Sequence, residues 1–163
     1  MSEPKQNPII EDAFNKKLAG ESLKNGLDFI SNMREHKFTF KGKGAKWTID
    51  CTNWKIHYKG KNFATIIIND DNTFGICTDF DNKFQLDDNL KEGVLAMVIA
   101  CPQWCCKEPY CKSSRINWEI LGKTHERVCH SPIQVFNPDS KAIETVIKIM
   151  LLYKQERISE SRA

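Results

Sequence analysis

The feature that most constrains the fold is a run of apolar segments joined by very short polar turns. The segments are rich in β-branched and aromatic residues, a composition that favours strands. They read "KWTID", "NWKIHY", "FATIIIN" and "TFGICT", with turn chemistry in "YKGKNF" and "NDDNT" between the later ones. A parallel crossover needs roughly a dozen residues or more, and these connections are shorter. The pattern therefore predicts an antiparallel meander of three or four strands.

Helical periodicity flanks this region on both sides. Apolar residues recur at helical spacing over 22–35, 88–100 and 138–157, which predicts helices in those ranges. Asp88 is the predicted cap of the second helix. Asn137 is the predicted cap of the third, because Pro138 after it suits a first helical position. "INWEIL" is a candidate short strand.

These elements predict one α+β domain over residues 21–158, a three- to four-stranded antiparallel meander packed by about three helices. Residues 1–20 are predicted to form a flexible N-terminal arm or a short helix. Residues 159–163 are predicted to be a frayed tail. An irregular cysteine-rich segment, 101–130, belongs to the domain. The chain's length of 163 residues is enough for one domain with a substantial core.

Charge and hydropathy narrow the classes of protein. The net charge of +3 is too small to indicate a polyanion-binding protein by itself. The opening residues lack the basic start and apolar run of a secretory signal, and no segment has the length of a membrane span. We therefore expect a cytoplasmic protein with no membrane partner. Its thiols should stay reduced, in keeping with an odd count of 7 cysteines.

Five of those cysteines lie in two nearby motifs, four in "CPQWCCKEPYC" and one in "RVCHSP". Thiolates are common ligands of structural zinc, which takes four nitrogen or sulfur ligands in a tetrahedron. Cys105 and Cys106 are adjacent, so we expect one of them to be a spare. The candidate metal ligands are Cys101, Cys105, Cys106, Cys111 and Cys129, with His130 in reserve. The favoured function is a structural zinc site in a binding module, and the pattern favours such a module over an enzyme.

Two other interpretations of the cluster stay open. Free cysteine is among the most buried residue types, so these residues could simply fill space. Alternatively, Lys107, Lys112 and Arg127 could lower the pKa of a thiol and create a redox centre. Cys51 and Cys77 lie in predicted strands, where core filling accounts for both.

A second candidate site lies in the stretch 37–62, where lysines alternate with aromatic residues. Trp47, Trp54 and Tyr58 are the candidate ligand-binding residues, because aromatic rings can line a pocket or stack on single-stranded nucleic acid. No arginine or RNA-binding signature accompanies them, which makes nucleic acid the less favoured partner. The competing interpretation places the lysines on hairpin turns and an exposed sheet edge, where they oppose aggregation.

The order of these motifs resembles a known family. "TNWKIHYKGK", a cysteine cluster after a helix, "ILGKTHERVC" and "NPD" opening a basic C-terminal helix are similar to short, uncharacterised cysteine-cluster proteins from Gram-positive, mainly clostridial, bacteria. The likeness covers roughly residues 22–157, and Cys129 matches the family's "VC" position. The family's first cysteines are spaced more like C-x-x-C-x-x-C, so this chain departs from the pattern there. The resemblance implies a cytosolic bacterial protein and no particular activity.

Overall fold

A computed structural model of the chain describes residues 9–48, 51–99, 116–129 and 131–162. The fold is α+β, as predicted, with a five-stranded sheet, a separate two-stranded hairpin and helices packed on one sheet face. The helices are α1 (Ile10–Lys17), α2 (Gly20–Glu35), α3 (Asp88–Met97) and α4 (Ser140–Glu160). The strands are β1 (Thr39–Thr48), β2 (Cys51–Tyr58), β3 (Lys61–Asn69), β4 (Phe74–Thr78), β5 (Ile116–Ile120), β6 (Lys123–Val128) and β7 (Ile133–Phe136).

The predicted meander forms β1 to β4, with every neighbouring pair antiparallel. β7 adds a fifth strand beside β4, so the order is β1-β2-β3-β4-β7. Neither β7 nor β6 was predicted, whereas β5 falls within the "INWEIL" candidate. β5 and β6 pair with each other outside the main sheet.

Alternation along the strands divides the sheet into two faces. Trp54 and Ile56 pair with Ile66 and Ala64, and these side chains belong to the same continuous core as the helices. Residues at the intervening positions lie on the opposite face, which we term the second face. A register shift after Ile56 brings Phe63 into the core as well, because a bulge lets two successive residues lie towards one face.

The helices meet the sheet through large apolar side chains. Phe14 of α1 is fully buried, and its ring meets that of Phe74 in β4 edge-on at 5.3 Å between centroids. Ile10 is also fully buried, so residues 10–17 form a packed helix within the range predicted to be a flexible arm or a short helix. Arg34 of α2 joins the two helices by donating to both carboxylate oxygens of Glu11, at 2.6 and 2.9 Å.

Three predictions of helix ends are wrong. The cap of α3 is Asp87, whose side chain accepts from the Leu90 N–H, and not Asp88. The cap of α4 is Asp139, accepting from the Ala142 N–H at 2.8 Å, and not Asn137. α4 also continues through Glu160, beyond the predicted start of the frayed tail. In the described part of the chain, no helix has both the length and the apolar character needed to cross a bilayer.

Candidate functional site

Of the five candidate metal ligands, the structure describes Cys129 alone. Cys101, Cys105, Cys106 and Cys111 lie outside the described residues. Cys129 follows β6 directly, is half-buried and carries a thiol. Within ranges 9–48, 51–99, 116–129 and 131–162, no three side chains of metal-binding type come together. The zinc site predicted from the cysteine spacing therefore stays a prediction.

The hairpin that leads to Cys129 carries two buried ring nitrogens. Trp118 of β5 lies directly opposite His125 of β6. Indole Nε1 of Trp118 and imidazole Nε2 of His125 are both buried without a hydrogen-bond partner. Buried polar atoms normally have partners, so the two nitrogens mark this face of the hairpin as a place where a polar group can be accommodated.

The second face of the sheet carries a polar row across the strands. Lys41, Lys55, Thr65, Cys77 and Gln134 pair in succession from β1 to β7. The Lys55 ammonium donates to the Thr65 hydroxyl at 2.9 Å. Cys77 is buried among the apolar residues of the fold, as predicted, although it does not belong to the continuous cluster under the helices. The side chain of Cys51 is not among those that the structure describes.

His57, on this same face, is held largely neutral near physiological pH. Partial burial lowers its pKa most, and the neighbouring Lys41 and Lys55 charges lower it further, while a hydrogen bond with the Gly60 backbone opposes them. Its Nδ1 is buried and has no hydrogen-bond partner. A neutral imidazole suits this site because a third positive charge beside Lys41 and Lys55 would be repelled.

The predicted aromatic site is divided by the fold. Trp54 is 2% exposed and packs inside the core, where it cannot stack on a ligand. The side chain of Trp47 is outside the description. Tyr58 is half-buried at the end of β2 and lines a cavity. Two of the lysines lie where the competing interpretation puts them: Lys41 is exposed on edge strand β1, and Lys59 lies in the tight turn after β2. Lys55 does not, because it is half-buried on the inner strand β2.

The cavity beside Tyr58 lies where the β2–β3 turn meets the last turns of α4, and we term it the Tyr58 pocket. Its volume is about 130 Å³. Lys59 and Gly60 both have positive φ, 48° and 77°, which makes a turn of the type that matches strand twist. The turn sets Tyr58 opposite Lys61. The lining residues are Tyr58, Lys59, Lys61, Phe63, Arg157, Ile158 and Ser161.

The pocket combines an apolar interior with a basic rim. Phe63 is buried and Ile158 half-buried, whereas Lys59, Lys61 and Arg157 are exposed. The Tyr58 ring has two cations near its faces, Lys154 Nζ at 4.7 Å and Lys59 Nζ at 5.7 Å from its centroid. Lys154 is anchored by donating to the His36 carbonyl at 2.6 Å. Cation–π contacts and this hydrogen bond hold the Tyr58 ring in place.

Behind the pocket, Phe63 meets Tyr153 of α4 edge-on at 6.3 Å. Burial raises the pKa of the Tyr153 phenol well above its usual value, and Asp79, Asp81 and Glu156 raise it further. The phenol therefore stays protonated at any physiological pH. Carboxylates thus lie near Tyr153, whereas the lysine ammonium groups lie near Tyr58.

Sequence reasoning found Tyr58 but missed Phe63, Ile158 and Arg157. Tyr58, Lys59, Lys61 and Phe63 are close in sequence, so the hairpin itself carried a signal for that half of the pocket. Arg157 is the last residue of the predicted helix and Ile158 follows it, and only the packing of α4 brings them there. Comparison of the sequence and structure with family models, curated proteins and solved structures finds no match.

Proposed function

We propose that this protein binds a small organic molecule in the Tyr58 pocket. The observation that carries the proposal is the lining: Tyr58, Phe63 and Ile158 present apolar surface at a cavity that opens between exposed polar side chains. Ligand sites typically combine apolar walls with a few polar groups that fix orientation. Of the three aromatic residues in the ligand-binding alternative from the sequence, Tyr58 is the one that lines this pocket.

The size of the cavity limits the ligand. At about 130 Å³ it is smaller than the roughly 300–1,000 Å³ of pockets for drug-sized molecules. One aromatic ring or a short acyl chain suits that space, and any longer portion would extend over the rim. Because the floor includes the Phe63 and Tyr58 rings, a flat apolar group gains edge-on or offset ring contacts.

The test is a titration with neutral benzamide, followed by amide NMR. We expect signals from residues 58–63 and 157–161 to shift together and saturate. Ile158→Ala should weaken binding, while Ile9→Ala, which removes an exposed apolar side chain that does not line the pocket, should leave it unchanged. Absence of localised shifts with benzamide and with its charged analogues would refute the proposal.

A structural zinc site on the cysteine segment is the second proposal. Cys101, Cys105 or Cys106, Cys111 and Cys129 would supply the ligands, holding the segment 101–130 in place. It is supported by the Cys129 thiol, half-buried next to a hairpin that holds an unpartnered His125 nitrogen. The resemblance to the clostridial cysteine-cluster proteins and the cytoplasmic location are proposals that rest on the sequence alone.

Elemental analysis of protein purified without added metal, with a count of reactive thiols, tests the zinc proposal. About one zinc per chain, lost in Cys129→Ser but kept in Cys77→Ser, is the expected result. No metal together with one thiol that alkylates much faster than the others would instead favour the redox interpretation. No metal with uniformly slow labelling would leave packing as the role of the cluster.

A further inference from the structure

Three cationic side chains line the Tyr58 pocket, and the binding of an apolar group would not need them. Lys59 and Lys61 come from the β2–β3 hairpin, and Arg157 comes from the end of α4, which is remote in sequence. Their side chains are exposed, so their charges are not neutralised by burial in an ion pair. None of the three forms an ion pair with a carboxylate in the described part of the chain.

A fourth cation reinforces the same field. Lys154 Nζ lies 4.7 Å from the Tyr58 ring centroid and 5.8 Å from that of Phe38, and is held there by the His36 carbonyl. That bond to a neutral carbonyl leaves the ammonium's charge in place. The Tyr58 side of the pocket is therefore bordered by the hydrogen-bonded Lys154 ammonium as well as by the exposed rim.

The carboxylates of this part of the molecule, Glu156 and Glu160 of α4 and Asp79 and Asp81 after β4, do not line the pocket. Glu156 acts on the Tyr153 phenol together with Asp79 and Asp81, behind Phe63, and does not line the pocket. The carbonyl end of α4, near Ser161, contributes about half a negative charge. Three full positive charges on the rim exceed that partial charge, so the potential at the mouth of the pocket is positive.

We infer that the ligand of the Tyr58 pocket is a small organic anion, an aromatic or short-chain carboxylate whose apolar body enters the pocket and whose carboxylate stays at the Lys59–Lys61–Arg157 rim. This inference rests on the proposed function of the pocket. Arginine pairs with carboxylates through two parallel N–H donors, which gives orientation as well as attraction. Placing the carboxylate at the rim keeps it partly hydrated and avoids the cost of burying a charge.

The experiment compares three ligands of nearly the same shape: benzoate, benzamide and benzylammonium. Affinity is measured by the same NMR titration at low and at high ionic strength. We expect benzoate to bind most tightly and benzylammonium least. The benzoate advantage should shrink at high ionic strength, because exposed charges are screened while apolar contacts are not.

Variants separate the charge from the apolar contact. Arg157→Gln should weaken benzoate about two- to fivefold and leave benzamide nearly unchanged. Lys24→Gln, which removes an exposed lysine of α2 that does not line the pocket, is the matched control and should change neither. Ile158→Ala should weaken both ligands to a similar degree.

The outcomes distinguish the two proposals. Equal binding of benzoate and benzamide, unaffected by salt or by Arg157→Gln, would overturn the anion inference while leaving the pocket's binding function intact. Failure of all three ligands to shift residues 58–63 and 157–161 would overturn both. Benzoate shifts that spread over the lysines of β1, and persist in Arg157→Gln, would show general attraction to a basic surface and also overturn the inference.

Discussion

The start of α4 shows how a single side chain sets an element's boundary. Asn137 lies in the left-handed region with φ 46° and accepts a hydrogen bond from the Ser22 hydroxyl at 2.6 Å, so it forms the corner before the helix. Asp139 accepts from the Ala142 N–H and caps the helix. Both residue types suit either role, since asparagine tolerates positive φ and both residues can cap.

Asp139→Ala should therefore lower the free energy of unfolding by about 1 kcal/mol, because the first turn of α4 loses its side-chain acceptor. Urea denaturation measures the change. Asp139→Asn should recover most of the loss, since the amide oxygen can accept the same bond. Equal stability of the alanine variant and the natural protein would show that Asp139 is not the effective cap.

Gly26 is a residue whose substitution tests packing against helix propensity. A Cβ built at Gly26 would lie 2.1 Å from Cε1 of the fully buried Phe14 ring. Alanine usually stabilises a helix interior by about 1 kcal/mol over glycine. Here we expect Gly26→Ala to destabilise instead, by about 1–3 kcal/mol, because the ring has to move within a packed core.

A double-mutant cycle with Phe14→Leu checks the cause in the same unfolding assay. The cost of Gly26→Ala should fall clearly in the Phe14→Leu background, where the side chain is smaller. A Gly26→Ala variant more stable than the natural protein would mean that α1 does not press against α2 as the structure has it.

At the scale of elements, the sequence predicted the helices and strands that a local residue pattern determines. Strands β2 to β4 were identified from β-branched and aromatic residues bounded by turns, and β3 and β4 are buried on both faces. Helices α2 and α4 were identified from their apolar stripes. β6 reads "KTHERV", with four exposed residues, so it has no apolar alternation to detect. β7 is four residues long, and its place beside β4 depends on a long-range pairing. The Tyr58 pocket was half predictable for the same reason, since α4 supplies Arg157 from a distant part of the chain.

The ion pair between α1 and α2 gives a prediction about pH. Hydrogen bonding to Arg34 lowers the pKa of the Glu11 carboxyl below its ordinary value. A lowered folded-state pKa contributes stability that is complete above the unfolded value, about 4.3, and is lost as the pH falls through the folded value. Glu11→Gln should thus cost about 1 kcal/mol at neutral pH, a modest value because the pair is partly exposed.

The measurement is the free energy of unfolding of both proteins from neutral pH down to about pH 3. The difference between them should be greatest near neutrality and shrink below about pH 4. Glu126→Gln, which changes an exposed carboxylate of β6, serves as the control and should show little difference at any pH. A Glu11 effect that is constant over the whole range would assign its role to packing and not to charge.

At the scale of the whole molecule, the described lysines and aspartates lie at different places on the sheet. Lys41 is exposed on edge strand β1, and Lys59 and Lys61 are exposed at the β2–β3 turn, at one end of the sheet. Asp79 and Asp81 follow β4, two strands further along the sheet from β2. A local excess of lysine at this turn is compatible with the positive mouth proposed for the Tyr58 pocket in a protein whose net charge is +3.

One core joins the described elements, and this has a consequence for unfolding. The continuous cluster includes Phe14 of α1, Trp54 of β2, Ile120 of β5 and Met150 of α4. Phe14→Ala should therefore destabilise the molecule by about 3–5 kcal/mol. The loss should be global because the ring contacts the sheet through Phe74 as well as the helix α2 through Gly26.

Thermal unfolding of the Phe14→Ala variant, followed by tryptophan fluorescence and by helical circular dichroism, tests this cooperativity. Both signals should move to lower temperature by the same amount, because Trp54 and the helices share the core that Phe14 completes. Lys16→Ala, at an exposed position of the same helix, should leave both transitions nearly unchanged. If the helical signal lost an early fraction while the tryptophan transition kept its midpoint, α1 would be an appendage that unfolds alone, as a flexible N-terminal arm would. A coincident shift would make α1 part of the cooperative unit, and would extend the domain's N-terminal boundary from residue 21 to Ile10.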